Sequence, residues 1–200
     1  MGKKFGEIEI GGIFGGYEII NKAGNNLPQD VASAVGIVNS GILGATYQPI
    51  FYVGKQLANG ENHFLICEEI RSTKSRGKMI VGLIINIPPG EGSIRGEGAK
   101  VVNIIEEADL SPEIQAAFDT AEKQLVGVSY KPIAYVGSQV VRGANHYFIC
   151  EAKGIYPGAE PYAALVAVNV FEGNASIVGI LPIKGTTQEE QTLFGYAFNW

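Results

Sequence analysis

The chain has 200 residues, 46% of them apolar and 18% charged, with a formal net charge of −5. That apolar share supports a packed core and argues against disorder. The acidic balance disfavours nucleic acid and anionic membrane as partners, because both need a basic footprint. The N-terminal MGKKFGEIEIGG lacks the apolar core of a signal peptide. The longest apolar run, MIVGLIINI (79–87), is too short to span a bilayer, so a cytoplasmic location is expected.

The first predicted element is a helix. Val31, Ala34, Val35, Val38 and Ile42 fall on one helical face, and Gly44 is the expected stop. Strand patterns rich in aromatic and β-branched residues follow. They are TYQPIFYVGKQLA (46–58), ENHFLICEEI (61–70), KMIVGLIINI (78–87) and a segment around KVVNIIEE (100–107). Asn59-Gly60 predicts a type I′ hairpin turn, with Gln56 and Glu61 flanking the tip. The basic run RSTKSRGK (71–78) reads as a solvated loop. The stretch GEGSIRGEGAK (90–100) fits neither the Walker A nor the GxGxxG pattern and reads as interdomain linker running into a strand.

The same order then recurs. Ser111 is a candidate N-cap and Pro112 suits the first helical position. Ile114, Ala117, Phe118, Ala121 and Leu125 repeat the first helical face at an offset of 83, and Gly127 is the matching stop. The strands SYKPIAYVGSQVV (129–141), NHYFICEA (145–152), YAALVAVNVF (162–171) and SIVGILPIKG (176–185) follow, with Gln139 and Ala144 expected at the hairpin tip. Residues 27–68 align with 110–151 without a gap, and 16 of the 42 positions are identical. The chain is therefore a tandem repeat. The expected class is α+β, with two domains at 1–96 and 97–200, each one helix packed on an antiparallel sheet of four to five strands.

The stretch QVVRG (Gln139–Gly143), followed by ANHYFI, resembles the QxVxG hairpin of the cystatin superfamily, in particular its intracellular stefin branch. Each unit is also similar to a stefin in length and element order. The resemblance implies reversible inhibition of papain-like cysteine proteases. In that family an N-terminal trunk, a first hairpin and a second hairpin form one apolar wedge that enters the active-site cleft. Carried onto this chain, the first hairpins are Gln139, Val140, Val141, Arg142 and Gly143 in unit two, and Gln56, Leu57, Ala58, Asn59 and Gly60 in unit one. The trunk candidates are Gly11 and Gly12, or Gly15 and Gly16, and Pro88, Pro89 and Gly90 look like the second-hairpin tip. Unit one departs from the motif at Ala58, where valine is usual, and unit two lacks a free trunk.

Such an inhibitor needs no catalytic group, no metal and no cofactor, and none is expected. His63/Cys67 and His146/Cys150 repeat at the same spacing. Four residues along a strand is about 13 Å, too far for one metal or one hydrogen bond, so they read as core-edge residues. The two cysteines are expected as reduced, half-buried thiols. A non-inhibitory cystatin-like binding or assembly module is the alternative. Exposed strand edges leave a homodimer open.

Overall fold

A computed structural model describes residues 18–23, 26–72 and 77–183. In chain order the elements are β1 (Glu18–Ala23), α1 (Gln29–Gly41), β2 (Ala45–Ala58), β3 (Gly60–Arg71), β4 (Lys78–Ile87), β5 (Lys100–Ile105), α2 (Pro112–Glu122), β6 (Val128–Val141), β7 (Gly143–Gly154), β8 (Tyr162–Phe171) and β9 (Asn174–Ile183). The strands form two antiparallel meanders. One sheet has five strands in the order β1-β2-β3-β4-β5, the other four in the order β6-β7-β8-β9. The class is α+β.

The expected boundary at residue 96 is corrected. β5 is paired with β4, with Ile84 opposite Asn103, so the first sheet continues past that point. The chain changes sheet between Ile105 and Pro112. The glycine-rich stretch is no loose linker either. It holds a 3-10 turn at Ser93–Arg95, closed by Gly96 at φ 65. A Cβ at Gly96 would lie 2.6 Å from the Asp30 carbonyl oxygen, so only glycine lets this turn press on the start of α1.

Helix α2 starts where the sequence places it. Ser111 Oγ accepts from the Ile114 N–H at 3.4 Å, with Pro112 in the first turn. Both helices stop short of the predicted glycines, and Gly44 and Gly127, at φ 86 and 91, instead turn the chain into β2 and β6.

Each long hairpin carries two register shifts. In β2 they fall between Pro49 and Phe51 and between Tyr52 and Gly54; in β6 they fall at the positions 83 residues later. Each shift leaves one residue unpaired and reverses the inward-outward alternation. Tyr47 and Tyr52 therefore join one core, while Phe51 and Val53 join another.

Among the described residues, three buried clusters result. The central one joins Phe51, Phe64, Ile66, Ile80 and Ile84 of the first sheet to Ile133, Ile149, Leu165 and Ile183 of the second. A second gathers Val31, Ala34, Val35 and Val38 of α1 with Tyr52, Leu65, Cys67 and Leu83. The third gathers Phe118 and Ala121 of α2 with Phe148, Cys150, Ala164 and Val166. Odd-numbered residues of β3 thus face α1 and even-numbered ones face the other sheet, as a period of two demands.

Where the two sheets approach, Gly82 stands at the position of Leu165 in the other unit. A Cβ at Gly82 would meet the Phe64 ring at 2.8 Å and Ile133 at 3.3 Å. A polar clasp adds to this contact: the Ile80 N–H donates to Glu151 Oε2 at 2.7 Å, and Lys131 holds the other oxygen of Glu151 at 3.4 Å.

The basic run is only partly a solvated loop. Arg71, at the end of β3, donates to both oxygens of Glu69 at 2.7 and 2.9 Å and to Glu106 at 2.9 Å. Lys78, at the start of β4, pairs with Glu68 at 3.4 Å. Residues 73–76 lie outside the described residues.

Cys67 and Cys150 are fully buried rather than half-buried. They lie in separate clusters with the inter-sheet core between them. Burial pushes both thiols up, which withholds the reactive thiolate. The native protein should therefore be inert to a thiol reagent, with two thiols per chain titrating on denaturation without reductant. Rapid labelling of the folded protein, or fewer than two thiols, would contradict this placement.

Candidate functional site

The β2–β3 and β6–β7 hairpins end in tips of the same design. Ala58 pairs with Gly60 around Asn59, and Val141 pairs with Gly143 around Arg142. One step back, Leu57 faces Glu61 and Gln56 faces Asn62; in unit two Val140 faces Ala144 and Gln139 faces Asn145. The expected flanking pairs are therefore off by one position.

The predicted type I′ turn is also corrected. Gly60 and Gly143 have φ 91 and 88, but neither Asn59 nor Arg142 has positive φ. Type I′ geometry occurs instead at the β8–β9 tip, where Glu172 and Gly173 take φ 49 and 77 between the paired Phe171 and Asn174. The glycines of the first tips answer to a close approach as well. A Cβ at Gly60 would collide with the Ile87 carbonyl oxygen, and one at Gly143 with that of Val170.

Beneath each tip runs a side-chain network. Asn86 Nδ2 donates to Asn62 Oδ1 at 2.9 Å and to the Asn59 carbonyl at 3.2 Å, and Asn62 reaches Gln56 Oε1 at 3.5 Å. In unit two, Asn169 Nδ2 donates to Asn145 Oδ1 at 2.8 Å and to the Arg142 carbonyl at 3.3 Å, while Tyr147 Oη donates to Gln139 Oε1 at 3.3 Å. The repeated glutamine and asparagine thus brace each hairpin internally. Asn86 and Asn169 were not singled out from the sequence, although they too lie 83 residues apart.

The carried-over residues now divide. Leu57 and Val140 are 84% and 90% exposed, and Ala58, Asn59, Val141 and Arg142 are exposed as well. Gln56 is buried, and Gln139 is half-buried. In unit one the tip stands beside Pro88 and Pro89 across an open groove of about 490 Å³, lined also by Asp30, Glu61 and Ile94. Pro88-Pro89-Gly90 begins the long 88–99 connection and is not a tight hairpin tip. In unit two the Arg142 guanidinium lies 4.7 Å over the Phe171 ring and joins the two hairpins. Gly11, Gly12, Gly15 and Gly16 lie outside the described residues. β1 begins at the tip end of its sheet, with Glu18 opposite Lys55.

The repeated histidines sit just behind the tips. Tyr52 Oη and His63 Nδ1 are 2.7 Å apart, and Tyr135 Oη and His146 Nδ1 are 2.9 Å apart. Burial lowers the pKa of both imidazoles. Among the described residues, carboxylates join the pair in unit one and not in unit two. The ligand atoms of Asp30, Glu61 and His63 all lie within 4.8 Å of one another. Sequence reasoning weighed His63 only against Cys67 on its own strand and missed Asp30, which arrives from the first turn of α1.

No protein-family model and no curated protein matches the chain. Among the described residues, no helix is long and apolar enough to cross a membrane.

Proposed function

We propose that the chain is a reversible inhibitor of papain-like cysteine proteases, built from two stefin-like helix-on-sheet units packed sheet to sheet. The hairpin tips would enter the active-site cleft as a preformed wedge. The observation that carries this reading is the pair of braced tips with Leu57, Val140 and Val141 turned out to solvent. An exposed apolar side chain on a rigid hairpin loses little conformational freedom on binding, so most of its burial would appear as affinity. The tips hold no group that must react, and the protein would act by occupying the channel.

A titration tests it. Increasing amounts of the protein added to a papain-like protease should inhibit reversibly, with the chain recovered uncleaved. Unchanged protease activity at micromolar protein would overturn the reading. In that case a cystatin-like binding or assembly module takes its place. One observation favours this second reading: Gly60 and Gly143 are already required by contacts inside the fold, so the motif glycines need no protease to explain them.

A further inference from the structure

We propose that unit one carries a binding site for a zinc-class transition-metal dication, formed by His63 Nε2, Glu61 and Asp30. This proposal is independent of protease binding.

His63 is 1% exposed, and its Nε2 is a buried polar atom with no hydrogen-bond partner among the described residues. An unsatisfied polar atom in such a place costs free energy unless a ligand completes it. Glu61 Oε2 lies 3.8 Å from it, too long for a hydrogen bond. Asp30 closes the set, with all three ligand atoms within 4.8 Å. Zinc bonds of about 2.0–2.2 Å to nitrogen and oxygen bring tetrahedral ligands to roughly 3.4 Å from one another. The widest pair must therefore close by up to about 1.4 Å, and both carboxylates are only half-buried and can turn inward.

The surroundings suit a metal in three further ways. Tyr52 Oη, 2.7 Å from His63 Nδ1, can accept that ring N–H, and in that tautomer the lone pair lies on Nε2. Asp30 and Glu61 line the open groove beside the hairpin tip, which gives an entry path and room for a fourth ligand from water or a bound anion. Imidazole together with carboxylates selects zinc and its neighbours over magnesium and calcium, which favour oxygen alone. One group opposes the ion: Lys55 Nζ holds Glu61 Oε1 at 2.7 Å. It leaves Oε2 for the metal, but its charge should weaken binding.

Unit two supplies an internal control. It keeps the Tyr135–His146 pair, but Ala144 stands at the Glu61 position. The metal would tie the first turn of α1 to the β2–β3 hairpin in unit one only.

Calorimetric titration of the full chain with zinc chloride, in a phosphine reductant, should give one site per chain. Magnesium and calcium should give none. Asp30→Asn and His63→Gln should each weaken binding by more than the ~10–100-fold that a lost outer-shell partner costs. Lys55→Met should tighten it, and His146→Gln should leave it unchanged. Cobalt substitution should add visible d–d absorption that Asp30→Asn removes. Asp30 is half-exposed, so this variant tests the site even if His63→Gln impairs folding. Absence of stoichiometric zinc binding, or binding that survives Asp30→Asn with wild-type affinity, would overturn the proposal.

Discussion

Replacing Ile149 with aspartate is expected to melt both units in a single transition at markedly lower temperature. Ile149 is fully buried in the cluster shared by the two sheets, among residues such as Phe64, Ile66 and Leu165. A carboxylate there has no cationic partner, and an uncompensated buried charge costs about 3–5 kcal/mol. That is a large part of the roughly 5–15 kcal/mol that holds a typical domain together. Because the shared core draws on both sheets, neither unit can lose it alone. Thermal unfolding followed by circular dichroism should show one shifted transition. Two transitions, with one left at the wild-type midpoint, would mean that the units fold independently of the shared core. Phe148→Ala makes a useful comparison, since Phe148 faces α2 and packs edge-on to Phe118 at 4.8 Å. Its loss should cost a similar ~3–5 kcal/mol through the α2-side cavity, leaving the inter-sheet contact in place.

The second large effect separates binding from folding at the hairpins. Val140→Asp should abolish most inhibition while changing stability by no more than about 0.5 kcal/mol, as is usual for exposed positions. Val140 is 90% exposed, so the folded state tolerates the charge. In an apolar cleft the same charge goes unpaired, and a loss of about 2 kcal/mol or more, some 30-fold in affinity, is expected. Gly143→Ala should behave in the opposite sense. Its φ of 88 is strained for alanine, and the new Cβ would strike the Val170 carbonyl oxygen. Backbone strain of about 1–3 kcal/mol adds to the overpacking. Any loss of inhibition in Gly143→Ala would then follow loss of fold. Measuring the inhibition constant and the unfolding midpoint of both variants decides between these roles. A Val140→Asp protein that still inhibits at wild-type strength would remove that tip from the binding surface.

Much of the architecture was legible because it rests on local chemistry. The helical face of Val31, Ala34, Val35 and Val38 is the face that packs. Ser111-Pro112 does start α2. What the sequence hid lay in tertiary contacts. Asn59-Gly60 looked like a type I′ turn, but the Ile87 carbonyl packed against Gly60 goes with a different turn. GEGSIRGEG looked like a linker because glycine is also the residue that lets a turn press closely on a helix, as Gly96 does on α1. The doubling of hydrophobic patterns gave no sign that the second face of each sheet would be buried against the other. The near-continuous apolar run of β4, buried from Ile80 to Ile85, was the available signal. At the candidate site, Gln139 and Gln56 were found through a motif, but their role as internal braces depends on Asn62, Tyr147 and a neighbouring strand. Asp30 was invisible as a partner of His63, since helix and hairpin meet only in the fold.

Hydrogen exchange of the full chain, alone and with a papain-like protease whose active-site thiol has been blocked, tests the proposed mode of action most directly. Protection is expected to concentrate at residues 57–61 and 140–143, with weaker protection at 88–90 and 171–173, and none over α1 or α2. A complex that protects the helices while leaving both tips exchanging freely, or the absence of any complex, would contradict it.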